Sequence, residues 1–216
     1  MKRILFCLLL AALPSIGGSR EAIVASVAPI APVVIYSQFE AAPSAEIQDA
    51  LQDEIETIMS PAGLHFEWRD LAGSRSSTAV ELVVVTFKGQ CDLRSLQPVG
   101  VLPGALGWTH VSNGVVLPFS DVDCTAVRDF LQKDLLSRPA PIRQEIYGRA
   151  LGRVLAHELY HVLAATSNHS GCGVAKAGYT VDDLVSPVFV FESAALRTLL
   201  QSKSHQILER AAASLP

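Results

Sequence analysis

Two periods of apolar and polar residues alternate along this chain, and the switches between them divide it into elements. Val33 to Phe39 is a β-branched and aromatic run that predicts a first strand. Ser44 then stands as a helix cap, followed by Ile47, Leu51, Ile55 and Ile58 at spacings of three and four with acidic residues between them. This pattern predicts an amphipathic helix that ends near Pro61 and Gly63. Leu64 to Trp68 alternates apolar with polar, and Val80 to Phe87 is a denser apolar run, so a second strand and a buried third strand are expected next.

Further on, Ala105 to Val111 and Val115 to Phe119 are strand-like pieces joined by Ser112, Asn113 and Gly114, residues suited to a tight turn. They predict a hairpin at the edge of the sheet. Helical spacing returns from Cys124 to about Leu136 and is interrupted by Pro139 and Pro141. A longer helix is expected from near Ile142 to about Thr166, and a last amphipathic helix from Pro187 or Phe191 to Leu208. The order predicts an α+β fold, a mixed sheet packed on helices, without internal repeats.

The first residues follow neither period. Lys2 and Arg3 precede an unbroken apolar run from Ile4 to Leu13, closed by Pro14, Ser15, Gly17 and Gly18. That is the layout of a secretory signal, about residues 1–20, with cleavage expected between Gly18 and Ala28. The run is about half of the roughly 20 residues needed to cross a bilayer as a helix, so no stable membrane span is expected after signal removal. Cys7 lies inside the run rather than behind it, against a lipid-anchored cysteine. Residues 33–216 are read as one domain of an exported protein, periplasmic or secreted.

Composition adds exclusions. Charged residues make up 18% of the 216, with a formal net charge of -4, which gives neither a basic stripe for nucleic acid nor an acidic tail. Behind the signal stand Cys91, Cys124 and Cys172, and export favours pairing. Cys91 with Cys124 is the expected disulfide, since both flank the strand-rich middle while Cys172 lies close behind the candidate site. Three buried free thiols are the alternative.

The chemistry is carried by the long helix, which reads His157-Glu158-Leu159-Tyr160-His161, an HExxH. Histidines at i and i+4 share one helical face, so two imidazoles reach one Zn2+, and the glutamate beside the first serves as base for a metal-activated water. Chance alone produces on the order of one HExxH per hundred chains of this composition, so context matters. Ile146, Leu151, Val154, Leu155, Val162 and Leu163 surround the histidines and mark the helix as buried on more than one face. Buried imidazoles need polar partners, and a shared metal is one.

A zinc site of this kind needs a third protein ligand. His169 follows His161 by eight residues, with Thr166, Ser167, Asn168 and Gly171 as helix-stop residues that let the chain turn back. It is the first choice. Asp182, Asp183 and Glu192 compete, Glu192 as a carboxylate opening a second helix, and Cys172 is a further candidate.

HELYH followed by a histidine resembles the zincin superfamily of zinc metalloproteases, and the close His-His-His order is similar to the metzincin clan with its HExxHxxGxxH. Ala164 stands where that motif has glycine, Ser167 where it has the third histidine, and a Met-turn is missing, since the methionines are Met1 and Met59. The stretch is nearer to exported bacterial proteins of unassigned function with HExxH, a histidine eight residues on, and a small-residue turn, here Ser170-Gly171-Cys172-Gly173. The resemblance implies a mixed sheet over an active-site helix and peptide hydrolysis: zinc held by His157, His161 and His169, and Glu158 as general base on the attacking water.

Other residues enter as lesser candidates. Gly107-Trp108-Thr109-His110 is the expected rim along which an extended peptide or protein substrate adds as a strand. His110 and Tyr179 are candidate stabilisers of substrate oxygen, whereas Tyr160, His65 and His205 read as packing or surface residues. Two other functions fit the same residues: an exported zinc-binding protein without turnover, and a metal-dependent amidase acting on a non-protein amide. Glu158 speaks against the first, because a structural site has no use for a base.

Overall fold

The computed structural model describes residues 30–73, 78–94, 96 and 104–214. The signal segment and cleavage region expected from the sequence fall within residues 1–29, outside the described residues. Among the described residues five strands form one mixed sheet: β1 (Val33–Ala41), β2 (Phe66–Asp70), β3 (Glu81–Gln90), β4 (Gly107–Ser112) and β5 (Val115–Asp123), in the order β2-β1-β3-β5-β4. Neighbours pair in parallel except β4 with β5, the antiparallel hairpin at one edge. Asn113 and Gly114 in its turn have φ of 50° and 76°. Two consecutive left-handed residues match the twist of the flanking strands, which is why Asn-Gly suits this position.

Among the described residues six α-helices accompany the sheet: α1 (Ala45–Met59), α2 (Cys124–Ser137), α3 (Ala140–Leu163), α4 (Val181–Val185), α5 (Ser193–Leu200) and α6 (Lys203–Ala213). Ser44 caps α1 by accepting a hydrogen bond from the Ile47 amide, and Gly63, in a left-handed conformation, closes the 3-10 turn at the far end of the helix. Ile47, Leu51, Ile55 and Ile58 are all buried, as their spacing predicts. Val83, Val85 and Phe87 of β3 are buried on the helix side, while Val84 and Thr86 between them are only partly covered. The third strand is therefore buried fully on one face rather than on both.

α1 and α3 pack closely because α3 presents Gly148 and Gly152 one turn apart. A Cβ at Gly148 would come within 2.5 Å of the Ile47 carbonyl oxygen, and one at Gly152 within 2.8 Å of the Leu51 carbonyl oxygen. Removing two side chains lets the backbones approach, and an ion-pair cluster fastens the contact. Arg153, with no solvent exposure, donates from Nε to Glu54 Oε1 at 2.6 Å and from its terminal nitrogens to the carbonyls of Asp183 and Ser186, both at 2.7 Å. Arg149 shares the same carboxylate at 3.1 Å. These bonds join α1, α3 and α4, so the segment after the HExxH helix is held by the helix itself.

The Cys91–Cys124 disulfide is formed, linking the end of β3 to the start of α2, and Cys172 is a free, exposed thiol. No helix among the described residues is long and apolar enough to cross a membrane. The C-terminal region departs from the expected single helix. Pro187 to Phe191 is not helical, α5 stops at Leu200, and Ser202 starts α6 by accepting from the His205 amide. An apolar spacing of three and four runs across this break, but the Ser202 cap satisfies the new helix start locally and makes two helices competitive with one.

Candidate metal centre

α3 places the three HExxH side chains by helix geometry alone. His157, Glu158 and His161 are all buried, because α3 runs between the sheet, α1 and α2. After Leu163 the chain reverses: the amides of Ala165 and Thr166 bond back to the carbonyls of Val162 and His161, with Ala165 at a φ of 48°. A left-handed alanine costs about 1–2 kcal/mol, a strain held next to the site. The helix-stop residues Thr166 to Gly171 predict a reversal there; it happens at Ala165, a residue without turn signature. It carries His169 back to the helix, where one ring nitrogen from each of His157, His161 and His169 lies within 4.8 Å of the others.

Hydrogen bonds settle the orientation of two of these rings. His157 Nδ1 is 2.9 Å from the Val174 carbonyl oxygen, and His161 Nδ1 is 2.7 Å from that of Thr166. A carbonyl only accepts, so both Nδ1 atoms carry the proton and both Nε2 atoms present bare lone pairs. Those two Nε2 atoms face each other at 3.0 Å. With neither able to donate, this is a repulsive contact unless a cation lies between. Tetrahedral zinc with Zn–N bonds of 2.0–2.1 Å sets ligand nitrogens about 3.3 Å apart, close to the 3.0 Å between these two, and the His169 nitrogen lies within 4.8 Å of both. The donor set therefore fits a zinc ion, and carbonyl partners on the outer nitrogens are the usual support for such ligands.

Electrostatics point the same way. Burial pushes the His157 imidazole down to about 4 despite its carbonyl partner, and burial also lowers His161, so both rings stay neutral at neutral pH. Burial raises the Glu158 carboxyl to about 7, opposed by a hydrogen bond from Thr109. Thr109 Oγ1 lies 2.7 Å from Glu158 Oε2 and 3.1 Å from Ser120 Oγ. Thr109 and Ser120 are register partners on β4 and β5, so the edge hairpin supplies the polar support of the carboxylate. Gly107, two residues before, brings the strand against α3: a Cβ there would lie 3.1 Å from Glu158 Oε1 and 2.9 Å from Val154 Cγ1.

The remaining candidates separate. Asp183 bonds Lys176 and caps α4 together with Thr180, Glu192 precedes α5 as its N-cap, and Cys172 is exposed; the cluster contains none of them, nor Asp182. His110 bonds Asp121 at 2.7 Å. Asp121 pairs with Trp108 and Thr86, on the sheet face opposite Thr109 and Ser120, so His110 points away from the histidines. Tyr179 reaches the site, its ring 5.6 Å from that of His157, but its hydroxyl donates to the Val174 carbonyl. Tyr160 packs against Phe191, His65 pairs with Glu56 at the surface, and buried His205 bonds the Ala62 carbonyl.

Thr109 and Val174 were not recognised from sequence as parts of the site. Thr109 lies in the rim tetrapeptide, but nothing local marks its hydroxyl as the Glu158 partner, and a backbone carbonyl such as that of Val174 leaves no signature in side-chain type. No known protein family and no curated protein matches this sequence.

Proposed function

We propose that this chain is an exported zinc-dependent metallopeptidase of zincin type, with His157, His161 and His169 as ligands and Glu158 as general base. One observation carries the reading: two buried imidazoles turn unprotonated nitrogens toward each other at 3.0 Å with a third histidine alongside. Such an arrangement is unfavourable without a cation and favourable with one. A zinc ion held by His157, His161 and His169 would supply Lewis acidity to a water and to a substrate carbonyl at the site.

The protein's own residues do the rest. The Val174 and Thr166 carbonyls hold the two helix-borne rings in the ligating orientation. Glu158 takes the proton of the attacking water and passes it to the leaving amine, and Thr109 fixes the carboxylate that does so. The outer edge of β4 has no strand partner among the described residues, so an extended peptide can add there beside Gly107 to Thr109 and present its carbonyl to the site. The Cys91–Cys124 disulfide agrees with maturation outside the reducing cytosol.

A zinc-binding protein without turnover accounts for the histidines but not for Glu158. Keeping a carboxyl buried there costs stability at neutral pH, which a purely structural site gains nothing from. Metal analysis of the purified protein, and digestion of a mixed peptide library with and without chelator, test the reading. Stoichiometric zinc and chelator-sensitive cleavage are expected. Absence of any bound divalent metal removes the metallopeptidase; bound zinc without peptide cleavage leaves the non-catalytic binder or an amidase for another amide.

A further inference from the structure

The Val174 carbonyl oxygen takes two hydrogen bonds. His157 Nδ1 donates to it at 2.9 Å, and the Tyr179 hydroxyl, five residues further along the same loop, donates to it as well. A carbonyl oxygen has two lone pairs, so both are in use. A phenol is protonated at neutral pH and has one proton to give, and here that proton is committed to the loop rather than aimed at a substrate. The Tyr179 ring also meets the His157 ring edge-on, with centroids 5.6 Å apart and planes at 81°. Tyr179 therefore bears on the first imidazole twice, once directly and once through the carbonyl.

What holds Tyr179 comes from the same helix as His157. Its ring meets that of Phe189 edge-on at 5.4 Å, and the guanidinium carbon of Arg153 lies 5.1 Å from the centroid of the Phe189 ring. Arg153 is fully buried and bonded to Glu54, and it stands four residues before His157, about one turn away on α3. The contacts form a closed circuit: from Arg153 through Phe189, Tyr179 and the Val174 carbonyl to His157, leaving the helix and returning to it one turn on. The Val174 amide bonds the Val190 carbonyl at 3.1 Å, so the loop keeps its place without the phenol. What the phenol adds is the direction of the Val174 carbonyl, and with it the rotation of the imidazole that donates to it. We propose, resting on the zinc reading of the three histidines, that Tyr179 is a positioning residue for the metal. It aims the Val174 carbonyl so that His157 Nε2 points at the ion, and it takes no part in stabilising a substrate oxygen.

The two roles open to Tyr179 make opposite demands on Tyr179→Phe, which removes one oxygen and keeps the ring. A positioning residue acts on the affinity for the ion, and little is lost once the site is saturated. A donor to substrate oxygen acts on turnover and leaves affinity alone. The mature protein and this variant are to be compared by zinc competition with a chromophoric chelator and by the imidazole N–H proton signals of the zinc-loaded, nitrogen-15-labelled protein. Turnover at saturating zinc is read in addition, and the first two measurements stand whether or not a peptide is cut. Zinc affinity is expected to fall by about tenfold, the low end for an outer-shell partner, with kcat in excess zinc nearly unchanged. The His157 Nδ1 proton signal is expected to shift, while that of His161, bonded to Thr166, stays in place as the internal control. Phe189→Leu withdraws the ring that holds Tyr179, moves the same signal and weakens zinc in the same direction, and it decides should Tyr179→Phe not fold. Unchanged zinc affinity in the folded variants, or an unmoved His157 signal, overturns the proposal and leaves the metal centre standing. A loss of about 10²–10³ in kcat at saturating zinc, with affinity intact, overturns it too and gives Tyr179 the substrate-oxygen role. A wild type that binds no zinc removes the metal reading and the proposal together.

Discussion

Thr109 on the edge strand donates its hydroxyl to Glu158 on the central helix, with 2.7 Å between Oγ1 and Oε2 across 49 residues of sequence. This bond opposes the rise that burial imposes on the carboxyl. Thr109→Val keeps the β-branched shape and removes the donor. The acidic limb of kcat/KM against pH is expected to move up by about one unit, as loss of one hydrogen bond to a charged group implies, and Thr109→Ser to restore it. Superimposable profiles for all three proteins would exclude the coupling.

Glu158 also leaves a mark on stability. In the metal-free protein its carboxyl titrates near 7 when folded, against the ordinary 4.5 when unfolded. Between these values the folded state holds a proton that the unfolded state has released, so the Glu158 contribution to stability is greatest below pH 4.5 and falls as pH rises through 7. The loss amounts to about 3 kcal/mol. His157 and His161, lowered by burial, act oppositely over the acidic part of this window, and for that reason the comparison must be with Glu158→Gln, which keeps both histidines. Urea midpoints in chelator should show the variant gaining on the wild type between pH 4.5 and 8. A constant difference across that range would mean that the carboxyl is not raised.

With metal present, Glu158→Gln is expected to retain stoichiometric zinc while losing turnover by about 10²–10⁴-fold, the range for a positioned general base. Turnover at the wild-type rate would take the base role away from Glu158.

His169 is the exposed member of the triad and the one supplied by a loop. His169→Ala is expected to weaken zinc binding by more than the 10–100-fold typical of an outer-shell partner, whereas Glu192→Ala leaves affinity unchanged. Competition with a chromophoric chelator measures both. The reverse ranking would transfer the third ligand to Glu192.

The Cys91–Cys124 bond closes a segment with a sequence separation of 33 residues. Replacing both cysteines by alanine is expected to cost about 3–4 kcal/mol in chemical denaturation, on the chain-entropy estimate for a loop of that length. Thiol titration of the folded protein without reductant should detect Cys172 and neither of the other two. Two or three reactive thiols before reduction would count against the bond.

Much of the architecture was legible because its causes are local. The spacing of Ile47, Leu51, Ile55 and Ile58 is a helical face wherever it occurs, Asn113-Gly114 adopts the left-handed pair a two-strand turn needs, and Ser44 caps the helix that begins beside it. The continuous helix expected up to Leu208 failed for the same kind of reason, since Ser202 offers a local start that periodicity does not register. Less accessible was the closeness of α1 to α3. Gly148 and Gly152 read as weak helix formers until the second backbone lies against them, and Arg153 reads as a surface cation until Glu54 and two carbonyls surround it.

By itself, the sequence determined the pair of imidazoles and the carboxylate between them, since residues four apart on an α-helix face the same way whatever surrounds them. Tertiary structure alone placed His169, and not Glu192, Asp182, Asp183 or Cys172, beside the two helix histidines, turned both Nε2 atoms inward through the carbonyls of Val174 and Thr166, and brought Thr109 to Glu158. Each of those choices depends on where a loop or a strand arrives after a reversal of the chain. No short-range periodicity encodes such an arrival; it is decided by how the sheet, α1 and the α4 segment pack around one helix.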